Sequence, residues 1–432
     1  MKTERDFKET EIGMIPKDWE VHRIGDVSKI NENTIGKDFS YDEIEYIDID
    51  SVERGRITKI QHIALKEAPS RAKRLLRDND IIISTVRPNL KHFAFIERSK
   101  PNLVVSTGFA VISAKAINPR FLYYYLTTQK YTDYLAAIAD SHTSAYPSFN
   151  PDIIEDSFLP FPEDKEQERI AKILSDLDSK IEVNHQMNQT LEKMSQALFR
   201  HWFIGFEFPN EKGKPYKSSG GEMVESELGE IPKGWEIKEV SDCGKVICGK
   251  TPPTKDEDNY GSEIPFITIP DMRDNVFVVR TEKQLSKIGA DTQGKKELPA
   301  LAICVSCIAS PGLVALTRTR SHTNQQINSI ICNNGISPYF MFFSMKEKSE
   351  DIRTMGLGGT ATLNLNTGDF SKIKILVPKK SIMDKFHKLV TPIFNRVLEN
   401  SIESLAVADI RDSLLPRFMS GKIRVNGGQR AG

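Results

Sequence analysis

Apolar residues recur at steps of three and four along residues 165–203, a spacing that places them on one face of a helix. Such a helix is on the order of 60 Å long at 1.5 Å per residue, longer than a small domain is wide. We therefore predict a long helix whose apolar stripe packs beyond its own domain. The predicted seam consists of Ile170, Leu174, Leu177, Ile181, Asn184, Leu191 and Leu198.

A second stripe with the same spacing lies 216 residues further along, half of the 432-residue length. Asn400 in this stripe matches Asn184 in the first, and Asn in such a seam is the residue type that coiled coils use to fix register. Glu403 interrupts the stripe, and Pro392 within it is expected to kink or restart the second helix. The second predicted seam consists of Phe386, Val390, Val397, Asn400, Val407 and Leu414.

Each stripe also has a simpler interpretation, in which it packs only on its own globular domain, as an amphipathic helix ordinarily does. The length of the first stripe and the duplication favour pairing of the two helices. Two copies of a globule with a long helix, related by a two-fold axis across the helices, would place the helices antiparallel with a globule at each end.

The repeat extends outside the helices. The segment IGMIPKDWEVHRIGDV (12–27) matches LGEIPKGWEIKEVSDC (228–243), with Gly, Ile, Pro, Lys, Trp, Glu and Asp in the same order. Two aromatic segments also correspond, and Pro119 and Pro338 predict the first turn of a helix in each. We predict a first globular domain at 1–163, a central long helix at 164–206, a second globular domain at 207–379, a C-terminal long helix at 380–424 and a flexible tail at 425–432.

Runs of β-branched residues bounded by Gly, Pro and Asn predict short strands in each globular half. These strands are expected within 44–50, 80–86 and 102–112, and within 263–271, 300–310 and 326–332. The predicted fold class is therefore mixed α/β. It consists of two similar globular α/β domains joined by two long antiparallel helices that form a coiled-coil spacer, with a pseudo-two-fold internal repeat.

Composition limits the function classes. The formal net charge is +0, so no global field draws the chain to DNA or to a membrane, and a nucleic-acid role must rest on local basic patches. The charged N-terminus lacks the apolar region of a secretory signal, and the longest apolar run, near 300–309, is too short to span a bilayer. Five cysteines favour a reducing compartment over a disulfide framework. We expect a cytoplasmic protein without membrane contact.

The segment GKVICGKT (244–251) fits the phosphate-binding pattern G-x-x-x-x-G-K-[ST]. A working loop of this kind turns directly into a helix whose first amides face phosphate. Here Pro252 and Pro253 follow, which remove two amide donors and disfavour a helical conformation at Thr251. The matching segment of the first half, 28–35, lacks the pattern. We therefore interpret the match as accidental.

Other catalytic and metal-binding patterns are weak. Cys304 and Cys307 form one C-x-x-C pair that, with Cys243 and Cys248, has the residue types of a zinc site. The pair lies in an apolar run, and free cysteine is among the most buried residue types, so buried structural cysteines are the favoured interpretation. We expect no catalytic residue and no bound metal.

Basic residues cluster beside polar loops in both halves, and between residues 66 and 100 Lys and Arg outnumber Asp and Glu nine to four. Arg and Lys suit phosphate and guanine, and Asn and Gln suit adenine edges, whereas a solvated charged face is the alternative for any single residue. Candidate DNA-binding residues of the first half are Arg71, Lys73, Arg74, Arg87, Asn89, Lys91, His92, Ser141, His142, Thr143, Ser144 and Tyr146. Those of the second half are Lys250, Thr251, Arg273, Lys295, Lys296, Arg318, Arg320, His322, Asn324, Gln325, Thr360, Thr362 and Asn364.

The order and spacing of several motifs resemble the specificity subunit of Type I restriction–modification enzymes, over essentially the whole chain. They are the twin openings G-x-I-P-x-x-W-x-x-x-x-x-x-D at 13–26 and 229–242, CGKTPP…IPFITIPD at 248–271, DKEQERIAKILSDLDSKI at 164–181, ALFRHWFIGF at 197–206 and LLPRFMSGKIRV at 414–425. The last two resemble the ends of the family's central and C-terminal conserved helices. Glu403 and Pro392 depart from the uninterrupted second helix of that pattern.

The resemblance implies two target-recognition domains, each reading one half of a split sequence in double-stranded DNA. It implies that the paired helices act as a ruler and as the docking surface for two methyltransferase (modification) subunits, with restriction/translocase subunits joining them. S-adenosylmethionine would bind the methyltransferase subunits, and ATP with Mg²⁺ the restriction subunits. This chain would then be a non-catalytic specificity subunit that binds no cofactor.

Two other functions fit parts of the sequence. A stand-alone regulator with two similar DNA-binding domains would bind its target without partner subunits, and a gel shift at physiological salt separates this function from the first. A P-loop ATPase using 244–251 is less favoured, and a nucleotide-binding assay with a Lys250→Ala variant separates it.

Overall fold

The computed structural model describes residues 6–142, 147–356 and 364–425. The chain divides into two compact units, the first made of Met1–Lys180 with Val407–Gly432 and the second of Ile181–Ala406. Each of the two long helices contributes residues to both units. The fold is thus mixed α/β with two units, as the sequence predicts.

The first unit contains short helices and strands that precede the first long helix. Its helices are α1 (Ile24–Val27), α2 (Pro119–Leu126), α3 (Gln129–His142), α4 (Asp152–Asp156) and the first part of α5 (Asp164–Phe199). Its strands are β1 (Phe7–Thr10), β2 (Gly13–Pro16), β3 (Glu20–Arg23), β4 (Ser28–Ile30), β5 (Glu43–Ile47), β6 (Val52–Glu53), β7 (Arg56–Ile57), β8 (Gln61–Ala64), β9 (Ala72–Leu75), β10 (Ile81–Ser84), β11 (Phe93–Phe95), β12 (Leu103–Ser106), β13 (Phe109–Ala114) and β14 (Phe158–Phe161).

Two four-stranded sheets dominate the first unit. One has the order β11-β10-β13-β4 with antiparallel neighbours, and the other has the order β8-β5-β12-β9, in which β5 and β12 are parallel. The short turn between β12 and β13 joins the two sheets. Apolar side chains of β10 and β13 form a core with α2, in which Ile81, Ile112 and Phe121 are buried.

The second unit repeats this plan with different lengths. Its helices are α6 (Val240–Cys243), α7 (Ile269–Met272), α8 (Lys287–Asp291), α9 (Pro338–Glu347), α10 (Ser349–Gly356), α11 (Thr367–Ser371) and most of α12 (Lys380–Met419), after the last part of α5 and a π-helical turn at Arg200–Ile204. Its strands are β15 (Met223–Val224), β16 (Ile231–Pro232), β17 (Glu236–Glu239), β18 (Gly244–Cys248), β19 (Tyr260–Ile267), β20 (Phe277–Val278), β21 (Lys283–Leu285), β22 (Ile303–Ser306), β23 (Val314–Thr317), β24 (His322–Thr323), β25 (Ile327–Cys332) and β26 (Lys374–Val377).

A five-stranded sheet of order β18-β25-β22-β23-β20 and a three-stranded sheet of order β21-β19-β24 form the second unit's framework. Its main core is rich in aromatic side chains. Phe199 and Phe203 from the end of α5 pack edge-on or tilted against Phe340 of α9 and Phe386 of α12, with ring centroids 5.0–6.1 Å apart. Such aromatic pairs add to the stability that their buried area provides.

The predicted helix starts are confirmed. Proline occupies the first position of α2 and α9, where the missing amide costs nothing, and the side chains of Asn118 and Ser337 cap the two helices. The single strand predicted within 102–112 is wrong, because β12 and β13 are separated there by a turn. Gly108 lets Ile49 pack closely against this turn, since a Cβ at that position would lie 2.6 Å from Ile49 Cδ1.

The expectation that the second long helix restarts at Pro392 is wrong, because α12 continues from Lys380 to Met419. A proline inside a helix costs about 3 kcal/mol, since it removes one hydrogen bond and crowds the preceding turn. Phe386 and Val390 before the proline and Phe394 and Val397 after it are all buried in one core. Burial of these four side chains outweighs the cost of interrupting the hydrogen bonding.

The two long helices pair antiparallel, as shown by contacts within each unit. In the second unit Asn184 contacts Ser404, and Asn188 contacts Ser401, so the partner number falls as the number in α5 rises. In the first unit Arg411 of α12 donates to Asp178 of α5 at 2.7 Å, and Arg424 just after α12 donates to Glu166 at 2.7 Å, so the numbers again run in opposite directions. The predicted antiparallel arrangement is therefore present in both units.

Glu403, the one mismatch between the two stripes, has a structural role. Glu403 is an exposed residue, yet its carboxylate accepts a hydrogen bond of 2.9 Å from the side-chain amide of the buried Asn184. An apolar residue at position 403 would leave that amide without one of its acceptors. The break in the apolar pattern therefore satisfies a buried polar group.

No helix in the described part of the chain is long and apolar enough to cross a membrane. The predicted tail at 425–432 lies, apart from Val425, outside the described residues.

Candidate nucleic-acid interface

In the first unit three chain segments meet at the turn between β12 and β13. The amide of Thr107 donates to the carbonyl of Arg71 at 2.8 Å, and the amide of Thr85 donates to the carbonyl of Gly108 at 2.8 Å. The segment before β9 and the loop after β10 therefore flank the same turn. We call this surface the basic edge: Arg71, residues 85–92 and residues 106–108.

The loop 85–92 of the basic edge is held in an unusual shape. Arg87 and Lys91 both have left-handed backbone conformations, with φ of 47° and 59°, on either side of a short 3₁₀ turn. Non-glycine residues in that region cost on the order of 1 kcal/mol or more, so they persist where other contacts impose them. Here the amide of Arg87 donates to the carbonyl of Pro147, and Val86 pairs with Ser148.

The predicted residues of the basic edge differ in exposure. Arg71, Arg87 and Asn89 are exposed. Lys91 donates from Nζ to Gln129 Oε1 at 2.6 Å, and His92 Nδ1 shares a hydrogen bond with the carbonyl of Val52. The exposed side chains present positive charge and one amide to solvent, which suits phosphate and base edges.

Arg74, on β9, is a half-buried cation with no ion-pair partner among the described residues. Its Nη1 is buried and has no hydrogen-bond partner within the described ranges. Burial lowers the pKa of the Arg74 guanidinium, because charge is disfavoured away from water. The neighbouring Lys73 is exposed. An anion that reached this site would relieve an uncompensated desolvation cost.

In the second unit three segments meet at the connection between β24 and β25. The amide of Lys250 donates to the carbonyl of Thr323 at 3.0 Å, and the amide of Cys307 donates to the carbonyl of Gln326 at 2.8 Å. The Thr251 hydroxyl donates to Gln325 Oε1 at 2.6 Å. We call this surface the amide edge: residues 249–251, 307–312 and 324–326.

The two edges share part of their backbone construction, namely the loop after β10 or β22 and its hydrogen bond to the turn or connection beside it. In the basic edge Phe149 donates its amide to the carbonyl of Thr85, and in the amide edge Leu365 donates to the carbonyl of Cys307. Two residues further on, Ala309 has a left-handed conformation with φ of 63°, as Arg87 has in the first unit. The backbone construction recurs, while the side chains differ: cations dominate the first edge and amides the second.

The amide edge contains the second half of the phosphate-binding pattern, and its geometry excludes a phosphate cradle. Residues up to Cys248 form strand β18, paired with β25. The amides of Gly249 and Lys250 already donate to the carbonyls of Ile327 and Thr323. No helix starts at Thr251 in the described chain, where the next helical turn is the 3₁₀ segment Glu257–Asn259. Residues 244–251 thus offer no free set of amides to a phosphate.

Several candidate residues lie outside the two edges or outside the residues that the structure describes. Arg320 forms an ion pair with Glu297 at 2.5 Å, and His322 is fully buried, so its ring does not reach the surface. Asn364 pairs with Ile308 of the amide edge. Ser141 is exposed near the end of α3, which ends at His142. The exposed or partly exposed Arg273, Lys295, Lys296 and Arg318 belong to other segments of the second unit. Thr143, Ser144, Tyr146, Thr360 and Thr362 lie outside the described residues.

The C-x-x-C pair of the second unit, Cys304 and Cys307, is buried. Cys304 is buried in β22, and burial raises the pKa of its thiol to about 12. Burial likewise raises the pKa of Cys307 to about 11. Within the described ranges no group of His, Cys, Asp and Glu has a metal-binding arrangement.

The predicted helix seam is buried to different degrees. Asn184 and Asn400 are fully buried, as are Ile170, Leu174, Phe386 and Val390, and Val397 is nearly so. The remaining seam residues are partly exposed: Leu177, Ile181, Leu191, Leu198, Val407 and Leu414.

Sequence reasoning missed the loop 307–312 and the turn residues 106–108 and Gln326. The repeat itself was the available signal, but Thr85 and Cys307 are 222 positions apart, whereas Gly108 and Gln326 are 218 apart. A fixed displacement of 216 therefore does not align them.

Comparison with known proteins gives consistent similarities. The family model for the Type I restriction modification DNA specificity domain matches the chain twice, at residues 16–193 and 232–404. The Type I restriction enzyme HindI specificity subunit of Haemophilus influenzae is 37% identical over 94% of this chain and 100% of its own length. The MjaIX specificity subunit of Methanocaldococcus jannaschii is 27% identical over 98% of this chain and 97% of its own.

A solved structure shares the fold. It is the S subunit of a Type-I restriction-modification system from M. genitalium, with a TM-score of 0.55 and 15% sequence identity. The match covers 93% of this chain and 96% of that chain.

Proposed function

This chain belongs to the Type I restriction–modification DNA specificity family, and we propose that each of its units reads one half of a bipartite DNA target. The observation that carries the proposal is one backbone arrangement that recurs in both units, in which the loop after β10 or β22 donates a hydrogen bond to the β12–β13 turn or to the β24–β25 connection. A repeated backbone framework with different exposed side chains is suited to reading two different half-sites.

The two edges favour different contacts. The basic edge exposes Arg71 and Arg87, which suit phosphate oxygens and the O6 and N7 acceptors of guanine. The amide edge exposes Gln325, which suits the paired donor and acceptor of adenine. The proposed target is therefore asymmetric.

The paired long helices act, in this proposal, as a ruler and as the docking surface for two methyltransferase subunits. The number of helical residues between the two reading edges would set the number of base pairs between the half-sites. Two domains that face the same side of a duplex read half-sites about 34 Å apart, one helical turn. Once one half-site is bound, the second binds at a high effective concentration, which favours a stiff connection.

The chain itself supplies recognition rather than chemistry in this proposal. S-adenosylmethionine binds the methyltransferase subunits, and ATP with Mg²⁺ binds the restriction/translocase subunits. The formal net charge of +0 supports the need for partners, because a chain without an overall positive field gains little nonspecific affinity for DNA.

The test is to co-express the chain with the modification subunits of its own system and to map methylated sites in the host genome. The proposal predicts one split motif with a fixed gap. An Arg87→Ala variant is expected to relax the motif in one half only. Arg98→Ala, an exposed arginine outside the basic edge, is the matched control and is expected to leave the motif unchanged. A single uninterrupted motif would contradict the proposal.

Gel-shift titration separates this function from a stand-alone regulator. At physiological salt the isolated chain is expected to bind the mapped motif weakly, and binding is expected to tighten when the modification subunits are added. Equal specific affinity with and without these subunits would favour the regulator.

A further inference from the structure

Gln325 occupies an unusual position at the tip of the amide edge. Its side chain is exposed, while its neighbours Thr323 and Ile327 are buried. Its Oε1 accepts a 2.6 Å hydrogen bond from the Thr251 hydroxyl, and its backbone carbonyl accepts a weak one from the Cys248 thiol. The side chain is thus held by one partner and still faces solvent.

The two neighbouring amide side chains are already engaged with each other. The Asn324 Nδ2 donates to Gln326 Oε1 at 3.0 Å, and the backbone N–H of Gln326 donates to Asn324 Oδ1 at 3.0 Å. Gln325 Nε2 has no partner within the described parts of the chain. Of the three side-chain amides in the turn, that of Gln325 is exposed, whereas those of Asn324 and Gln326 are partly buried.

The turn is rigid because the segment before Thr251 packs tightly against it. A Cβ on Gly249 would lie 2.1 Å from the carbonyl oxygen of Asn324 and 2.3 Å from Thr323 Oγ1, so only glycine permits this approach. The amides of Gly249 and Lys250 then bind carbonyls on both sides of the turn. This close packing brings Thr251 within reach of Gln325. A reading side chain held by such support keeps one orientation before it meets a ligand.

We propose that Gln325 is a base-reading residue of the second unit, that it reads an adenine in the major groove, and that Thr251 is its positioning residue. Adenine presents the N7 acceptor beside the N6 donor. Gln325 offers a free Nε2 donor and a second acceptor site on Oε1, beside the one that Thr251 occupies. This inference rests on the proposed function, and it gives the threonine of the phosphate-binding pattern a role in DNA recognition.

The test uses the complex of this chain with its modification subunits and DNA that carries the mapped motif. Each adenine of the half-site read by the second unit is replaced in turn by 7-deazaadenine, which lacks the N7 acceptor. At one position the replacement is expected to weaken binding about 2- to 10-fold, because one of the two hydrogen bonds of the bidentate contact is lost. With Gln325→Ala the same replacement is expected to have no further effect.

Genome-wide methylation mapping gives a second readout. Gln325→Ala is expected to relax one position of one half-site and to leave the other half unchanged. Thr251→Val is expected to act in the same direction more weakly, and Thr251→Ser to restore the wild-type motif. Asn334→Ala, an exposed amide beyond the other end of β25, is the matched control. A purely structural role would lower methylation at all sites without changing the base preference.

The possible outcomes are distinguishable. If the wild-type complex methylates no split motif, the proposed function fails, and this inference fails with it. If the split motif is present but Gln325→Ala and the isosteric Gln325→Met both keep full base preference, only the inference about Gln325 is overturned. A thermal melt of each variant shows whether it has folded.

Discussion

Asn184 and Asn400, 216 residues apart in the sequence, contact each other where the two long helices pair, and the Asn184 amide lies 3.4 Å from the Asn400 carbonyl oxygen. Both side chains are fully buried. Asn400 also donates to Asn188 Oδ1 at 2.9 Å. The side-chain oxygens of Asn184 and Asn400 have no partner among the described residues, so the pair is retained at a cost in stability. Register specification accounts for such a cost in coiled coils.

Replacing both residues tests this role. Asn184→Leu with Asn400→Leu is expected to raise the free energy of unfolding by about 1–3 kcal/mol, because two buried side-chain oxygens without hydrogen-bond partners leave the core. The same variant is expected to methylate sites with more than one gap length, because the helices can slip. Urea denaturation and methylation mapping measure the two effects. Gln186→Leu, at an exposed position of α5, is the control, and a destabilised double variant with one fixed gap would contradict this account.

Equivalent positions of the two units are stabilised by different kinds of interaction, an ion pair in the first unit and apolar contacts in the second. In the first unit the Arg424 guanidinium binds the buried Glu166 carboxylate at 2.7 and 2.8 Å, and Trp19 donates to the same carboxylate at 3.0 Å. Positions 216 residues away hold Phe208, Ile382 and Trp235. There Phe208 stacks on the tryptophan at 5.0 Å, and all three side chains are buried.

This substitution of an ion pair by apolar contacts predicts the behaviour of two variants. Arg424→Ala is expected to destabilise the first unit by about 3–5 kcal/mol, because it leaves the Glu166 charge buried without its cation. Arg424→Phe with Glu166→Ile is expected to recover most of that loss. Hydrogen exchange of amides in residues 164–180 measures the local effect. Equal exchange rates in wild type and Arg424→Ala would contradict the assigned role.

His322 makes the stability of the second unit depend on pH. Burial lowers the pKa of this imidazole, Glu297 opposes the change and Arg320 adds to it. In the unfolded chain the imidazole of this residue has the ordinary histidine pKa near 6.5. Below that pH the unfolded chain therefore binds more protons at this residue than the folded chain does. The stabilising contribution is therefore complete above about pH 6.5 and is lost as the pH falls. Between pH 7.5 and 5.5 this group is expected to cost at most about 1.4 kcal/mol.

Urea denaturation at the two pH values measures this effect by comparison with His322→Leu. The variant cannot gain a proton at this position, so its stability is expected to fall less between pH 7.5 and 5.5. Identical pH dependence of the two proteins would show that His322 keeps its ordinary pKa in the folded chain.

The Lys250→Ala variant and the wild type are expected to give the same result in a nucleotide-binding assay. The physical reason is that the preceding amides are occupied by carbonyls of the turn, so no phosphate cradle is available. Titration with a fluorescent ATP analogue and Mg²⁺ measures the binding. Saturable binding that is lost in the variant would restore the ATPase interpretation.

The parts of the fold that depend on local periodicity could be predicted from the sequence. The stripe spacing gave both long helices, and Pro119 and Pro338 gave the starts of α2 and α9. The continuity of helix α12 through Pro392 could not be predicted, because it depends on tertiary burial of side chains on both sides of the proline rather than on local helix propensity. The role of Glu403 depends in the same way on a partner in the other helix.

The two edges were only partly predictable for a related reason. Residue type identified Arg87, Thr251 and Gln325 as candidates. Their assembly depends on hydrogen bonds between segments far apart in the chain, such as the one that joins Thr251 to Gln325. Composition gives no sign of such pairing, and it also gave no sign that His322 lies inside the protein.

The ruler is tested most directly by lengthening both helices together. Four helix-forming residues inserted beside Asn184 and four beside Asn400 add about 6 Å of helix, close to two base-pair steps of about 3.4 Å. Methylation mapping is predicted to show both half-sites unchanged and the gap longer by about two base pairs. Four residues inserted in the exposed turn at 211–213 serve as the control, with the original gap expected. A lengthened protein that methylates the original motif at the original gap would contradict the account.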